Sequence, residues 1–188
     1  MIRSFLAIEL PETILKEIGQ VEEDLRSSHA DVRWVSPEKI HLTLKFFGNI
    51  DELRIEPIVK STVGAIQTIS PFLLGVKGIG AFPNAKSPRV IWIGLLDEKE
   101  VLVSFQRSLE TELEKIGFEP ENRPFQAHLT LGRVKSSRGR EELVRLMEKY
   151  GEKAFGDFQV KSVILFRSDL RPTGPIYTPL KEMKFEGR

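Results

Sequence analysis

Apolar positions along this chain change period in a regular order. Ser4 to Leu10 sets Phe5, Ala7 and Glu9 on one face of an extended strand, because strand side chains alternate. After Pro11, which suits a first helical turn, Ile14, Ile18, Val21 and Leu25 recur at helical spacing. A strand opens at His41-Leu42-Thr43-Leu44, a helix is expected from Asp51 to about Ile69, and a strand from Phe72 to Ile79. The same order then restarts. Ile91 to Asp97 is an apolar strand, and Leu102, Phe105, Leu109, Leu113 and Ile116 mark a helix ending at Gly117. His128-Leu129-Thr130-Leu131 opens the next strand, followed by a helix from Gly139 to Tyr150 and a strand from Phe158 to Phe166. A turn-rich connector over residues 80–88 separates the two runs. The turn Arg171-Pro172-Thr173-Gly174-Pro175 precedes a last strand, Ile176 to Leu180 and onward to Phe185.

His-Leu-Thr-Leu thus occurs once in each run, 87 residues apart, although the chain has only three His. The same offset carries Phe5 onto Trp92 and Ala7 onto Gly94. An offset shared by strands, helices and motif indicates duplication. The expected fold is α+β: a single bilobed domain built from two pseudo-symmetric halves, about 1–86 and 87–188. Two mostly antiparallel sheets would form a central cleft with helices on the outside.

Composition narrows the function classes. Lys+Arg of 28 against Asp+Glu of 27 leaves a net charge of +1, so any surface for nucleic acid must be local. The absence of Cys excludes disulfides and thiolate chemistry. No apolar run is long enough to span a bilayer, and Met1 to Leu10 turns acidic too soon for a signal peptide, so a soluble, cytoplasmic protein without a membrane partner is expected.

Each motif offers one imidazole and one hydroxyl on one face, anchored by two Leu on the other. An imidazole titrates near pH 6.5, so one His can be neutral while its twin is protonated, the requirement of a general base and general acid. Thr hydroxyls beside them can donate to phosphoryl oxygens as charge develops. The chemistry that suits this set is in-line displacement at phosphorus without a metal. A single His-x-Thr on a strand is ordinarily packing or surface decoration; two in matched repeats favour a site. A metal site would need further ligands, and neither motif has a carboxylate on its His face, so no metal and no cofactor are expected. A non-catalytic nucleotide-binding module is the remaining alternative.

Alternation puts Lys45 on the face of His41 and Thr43. Arg133, Lys135, Arg138 and Arg140 follow the second motif with no acid among residues 133–140, and Lys86 and Arg89 lie in the connector. Phe5, Trp34, Phe47, Phe82 and Phe125 are candidate base-stacking rings. From these, Phe5, Lys45, Arg89, Phe125 and Arg133 form the candidate substrate-binding set.

Two H-x-T-x motifs in a duplicated chain of this length resemble the two-histidine phosphoesterase superfamily, and within it the RNA 2′,3′-cyclic phosphodiesterases, also called 2′-5′ RNA ligases. The resemblance runs through Arg3-Ser4-Phe5-Leu6-Ala7-Ile8, the block from Trp34 to Gly48, Ala81-Phe82-Pro83 with Pro88 to Trp92, and Phe125 to Arg133. It implies hydrolysis of a terminal 2′,3′-cyclic phosphate to a 2′-phosphate without a metal. His41 would then be the proton donor to the leaving 3′-oxygen and His128 the proton acceptor from water, with Thr43 and Thr130 on the phosphate oxygens. It also implies the ATP-independent reverse joining through a 2′-5′ bond. Sequence alone leaves the two His interchangeable. The partners expected are RNA with 2′,3′-cyclic phosphate ends or small cyclic nucleotides. 2′-5′ oligonucleotides or ADP-ribose cyclic phosphate are alternative substrates. A cleft between two lobes of one chain requires no second copy, so a monomer is expected.

Overall fold

The computed structural model describes residues 1–172 and 174–187; Thr173, in the expected turn at 171–175, lies outside the described residues. Among the described residues, nine strands and four α-helices follow the order β1 (Ile2–Glu9), α1 (Glu12–Arg26), β2 (Val32–Trp34), β3 (His41–Ile50), α2 (Ile55–Ile66), β4 (Phe72–Phe82), β5 (Val90–Leu96), α3 (Val101–Glu114), β6 (His128–Val134), α4 (Arg140–Lys149), β7 (Ala154–Val160), β8 (Ser162–Arg171) and β9 (Gly174–Lys184). This is the α+β, antiparallel architecture expected. The stretch around Phe158 to Phe166 is two strands rather than one, and the short β2 has no counterpart among the sequence-based assignments.

The strand path runs β7-β4-β5-β6-β3-β1-β8-β9, with β2 paired to β6. It divides naturally at β6–β3, where only Leu42 and Leu129 pair and the two halves of the sheet meet edge to edge. Outward from this seam the halves match: β3, β1, β8, β9 on one side and β6, β5, β4, β7 on the other. Each half of the sheet contains a strand from the other run of the chain. β4 follows the first motif yet pairs β5, and β8 follows the second motif yet pairs β1. Helices cross over in the same way, for α1 packs on α4 and β7, while α2 packs on α3 and β9.

One large core lies between sheet and helices. On α1 the buried apolar positions are Ile14, Ile18, Val21 and Leu25, and on α3 they are Leu102, Phe105, Leu109 and Leu113, so each amphipathic stripe faces the sheet. From the sheet, Leu6, Ile8, Leu42, Leu44, Leu129 and Leu131 enter the same core. The motif leucines are therefore anchors, each contributing about 1.5–3 kcal/mol by burial. A second, smaller cluster of Phe5, Ala7, Ile164 and Phe166, with Tyr177 against it, sits on the other face of the sheet. That face carries the motif histidines.

Candidate active site

Strand register brings the two motifs together. Leu42 pairs with Leu129 in antiparallel sense. One residue to either side, that direction sets His41 beside Thr130 and Thr43 beside His128, all four pointing away from the helices. Each imidazole therefore neighbours the hydroxyl of the opposite motif.

Both rings are oriented by backbone. His41 Nδ1–H donates to the Lys39 carbonyl at 2.8 Å, and His128 Nδ1–H donates to the Gln126 carbonyl at 2.7 Å. A carbonyl can only accept, so Nδ1 carries the proton in each neutral ring and Nε2 is left to accept or release one. The supports under the two rings differ. His41 stacks on Phe5 at 4.8 Å and 23°, with the Tyr177 ring edge-on at 5.2 Å. His128 meets Phe82 edge-on at 5.2 Å, and Phe82 in turn leans on Trp92 at 5.4 Å. Trp92 lies flat over Gly80, where a Cβ would collide with the indole. Burial in its aromatic box pushes the His41 imidazole below the usual histidine value, opposed by the Lys39 carbonyl, which favours the protonated ring. Burial likewise raises the Tyr177 phenol, with Arg3 opposing.

Beside His41 a cavity of about 280 Å³ opens, lined by Phe5, Glu9, Glu38, Lys39, Ile40, His41, Phe166, Ile176, Tyr177 and Pro179. A larger, open depression of about 520 Å³ lies among Ser28, His29, Ala30, Arg138 and Gly139, away from both motif histidines. Among the described residues, no three His, Asp or Glu side chains converge closely enough to share a metal ion. No helix among the described residues is long and apolar enough to cross a membrane.

A model of LigT-like phosphoesterases matches the chain twice in tandem, over residues 8–92 and 93–177. The chain belongs to this family. An RNA 2′,3′-cyclic phosphodiesterase of Methanothermobacter thermautotrophicus is 40% identical over 183 residues, covering 96% of this chain and 97% of that one. Another of the same name, from Thermotoga maritima, is 35% identical over 98% of this chain and 96% of its own. Among solved structures, a Thermus thermophilus protein superposes with a TM-score of 0.83 at 28% identity, with 98% of both chains covered. Escherichia coli LigT complexed with 3′-AMP gives 0.74 at 26% identity over 98% of both. The tandem family match is the duplication that the HLTL repeat announced.

Within this family framework, other residues of the expected substrate-binding set lie elsewhere than simple alternation implies. Lys45 is a correction. Register skips Leu44, since Ala7 pairs Thr43 whereas Leu6 pairs Lys45. This bulge reverses the facing, so Lys45 points toward the helices and is 5% exposed. There its ammonium binds Glu110 at 2.8 Å and the Glu119 carbonyl at 2.7 Å. The exposed side chain on the motif face is instead Phe46, which pairs with Phe5 and lies 5.6 Å from its ring. Phe5 is 2% exposed beneath His41, so it is a floor for the imidazole rather than an open stacking platform. Phe125 packs against the helix-side core, as do Trp34 and Phe47. Arg89 is exposed at the start of β5, its backbone bridging Phe82 and Val134. Register skips Leu131 in the second motif as it skips Leu44 in the first, and beyond that bulge Arg133 returns to the motif face, exposed.

Proposed function

We propose that this chain hydrolyses the terminal 2′,3′-cyclic phosphate of RNA to a 2′-phosphate by paired histidine acid/base catalysis. The observation that carries the reading is the cross-strand register at Leu42–Leu129, with both Nδ1 atoms engaged by backbone carbonyls. The names of the relatives supply the substrate class.

A water molecule attacks phosphorus from the side opposite the 3′-oxygen. His128 Nε2 accepts its proton while the new P–O bond forms. The P–O3′ bond breaks, and His41 Nε2–H delivers a proton to the departing 3′-oxygen. Thr43 and Thr130 donate to the non-bridging oxygens, whose charge grows in the transition state. The enclosed His41 prefers to be neutral in the empty site; an anionic phosphodiester beside it favours the protonated ring, so substrate itself loads the acid. With a 5′-hydroxyl in place of water as the nucleophile, the same steps join a cyclic phosphate end to it through a 2′-5′ bond. Both histidines come from one chain, so the reading takes the protein as one bilobed, monomeric domain acting on RNA in the cytoplasm.

The test is incubation with an RNA ending in a 2′,3′-cyclic phosphate, followed by assignment of the product phosphate. A 2′-phosphate is expected. A 3′-phosphate would reverse the leaving group, and an unchanged end with measurable binding would favour a non-catalytic module.

A further inference from the structure

Residues 32–40 form a strap that joins the strands of the two motifs. At one end Val32–Trp34 pairs with Gly132–Val134 on β6, and the Val35 N–H donates to the Leu131 carbonyl at 2.7 Å. At the other end a single tight turn, Pro37–Lys39, leads into His41, and the Lys39 carbonyl is the acceptor that fixes His41 Nδ1–H. Among the described residues β3 itself meets β6 at one pair, Leu42–Leu129, so the strap supplies most of the pairing across this seam.

Helix α1 holds the strap down. It packs on the tight turn, where a Cβ on Gly19 would stand 3.4 Å from Pro37 Cγ. Further along the same helix Glu22 is 2% exposed within the buried stripe. One of its carboxylate oxygens accepts from Arg26 twice, from Nε at 3.0 Å and from a terminal nitrogen at 2.6 Å. The Arg26 guanidinium lies 5.3 Å from the centre of the Trp34 ring, within cation–π range. Trp34 is wedged over β6, since a Cβ on Gly132 would stand 3.1 Å from its indole Cε3.

A buried ion pair is a poor stability device, because desolvating the carboxylate offsets what the pairing returns. Here the Glu22 Oε2 atom is buried without a hydrogen-bonding partner among the described residues, and burial pushes the carboxyl up against the opposing effect of Arg26. What the pair does supply is a guanidinium held in one place over one ring of the strap. His128, by contrast, takes its carbonyl from Gln126, between α3 and β6 and outside the strap.

We propose that Glu22, Arg26 and Trp34 form a clamp that positions the anchor of His41. The clamp fixes the strap against β6 and so keeps the Lys39 carbonyl in line with His41 Nδ1. Trp34 packs on the helix-side core, away from the motif face, so these are positioning residues rather than catalytic ones. The kinetic consequence rests on the proposed activity; the effect on the His41 ring does not.

The experiment compares Trp34→Leu, Trp34→Phe, Arg26→Met and the Arg26→Met/Trp34→Leu double variant with wild type. The readouts are the thermal midpoint, the imidazole nitrogen chemical shifts, and kinetics on RNA ending in a 2′,3′-cyclic phosphate, each taken where the variant is folded. In the wild type, neutral His41 should show the Nδ1–H tautomer. Trp34→Leu should move His41 toward a mixture of tautomers while His128 keeps Nδ1–H. It should also lower kcat about tenfold with KM within about twofold, because a misaimed acid is felt in the reaction step. Trp34→Phe keeps a ring under the guanidinium and should restore most of both. Arg26→Met should reproduce part of the effect and add nothing to Trp34→Leu. Lower stability with the His41 tautomer and kcat at wild-type values would make the clamp structural only and overturn the proposal. Equal tautomer changes at both histidines would overturn it too, as general loosening. Should Trp34→Leu fail to fold, Arg26→Met, at a half-exposed position, carries the same test. If the wild-type protein leaves the RNA end unchanged, the proposed activity fails, and the His41 tautomer still decides the clamp.

Discussion

Replacing Lys45 with Met separates a structural role from a substrate-binding one. The Lys45 side chain is 4% exposed, and that of its partner Glu110 is 12% exposed. Removing it deletes the 2.8 Å pair and the bond to the Glu119 carbonyl. Glu110 would retain only the Gln106 amide at 3.1 Å and the Glu121 N–H at 3.3 Å. A buried charge stripped of its partner costs roughly 3–5 kcal/mol, and the residual exposure of Glu110 places this case near about 3 kcal/mol. For a chain of this size that lowers the thermal midpoint by roughly 6–12 °C. The assay pairs urea denaturation with steady-state kinetics on cyclic-phosphate RNA, at a temperature where the variant is folded. Stability should drop while KM stays within about twofold of wild type. Adding Glu110→Leu should restore part of the stability, since it removes the stranded charge. A stability change under about 1 kcal/mol together with a tenfold rise in KM would refute the bulge-driven placement of Lys45 and return it to the substrate.

Two further outcomes follow from the geometry around the histidines. Burial holds the His41 imidazole below the ordinary histidine value in the empty site, whereas a bound phosphate favours the charged ring, so the His41 ring titration followed by NMR should move to higher pH when a phosphate ligand binds; an unmoved titration would contradict the loading of the acid by substrate. Gly80→Ala drives a Cβ into the Trp92 ring on which Phe82 and His128 depend. It should cost about 1–3 kcal/mol of stability and reduce kcat more than KM; wild-type values in both would show that the indole is not pinned there.

Much of the site could be read from alternation alone. His and Thr share a face and the Leu share the other because the period of a strand is two, and both motifs obey it through Leu44 and Leu131. The rule fails one residue later, where the bulge at Leu44 turns Lys45 inward. The second motif held a signal of this: Gly132 occupies the place of Lys45, and a glycine inside a strand often marks a bulge. Phe5 was legible as a candidate ring of the site but not as the ring beneath His41, which depends on long-range pairing and depth. The exchange of β4 and β8 between the halves is a matter of long-range pairing that local pattern does not encode.

The most direct test of the paired-histidine account is the single-turnover rate on cyclic-phosphate RNA for His41→Ala, His128→Ala and the double variant. Residues that act as a unit are non-additive, so each single variant should slow the reaction by about 10³-fold or more, and the double variant hardly further. Either single variant retaining a rate within about tenfold of wild type, while folded, would contradict the claim that the two motifs form one acid/base pair.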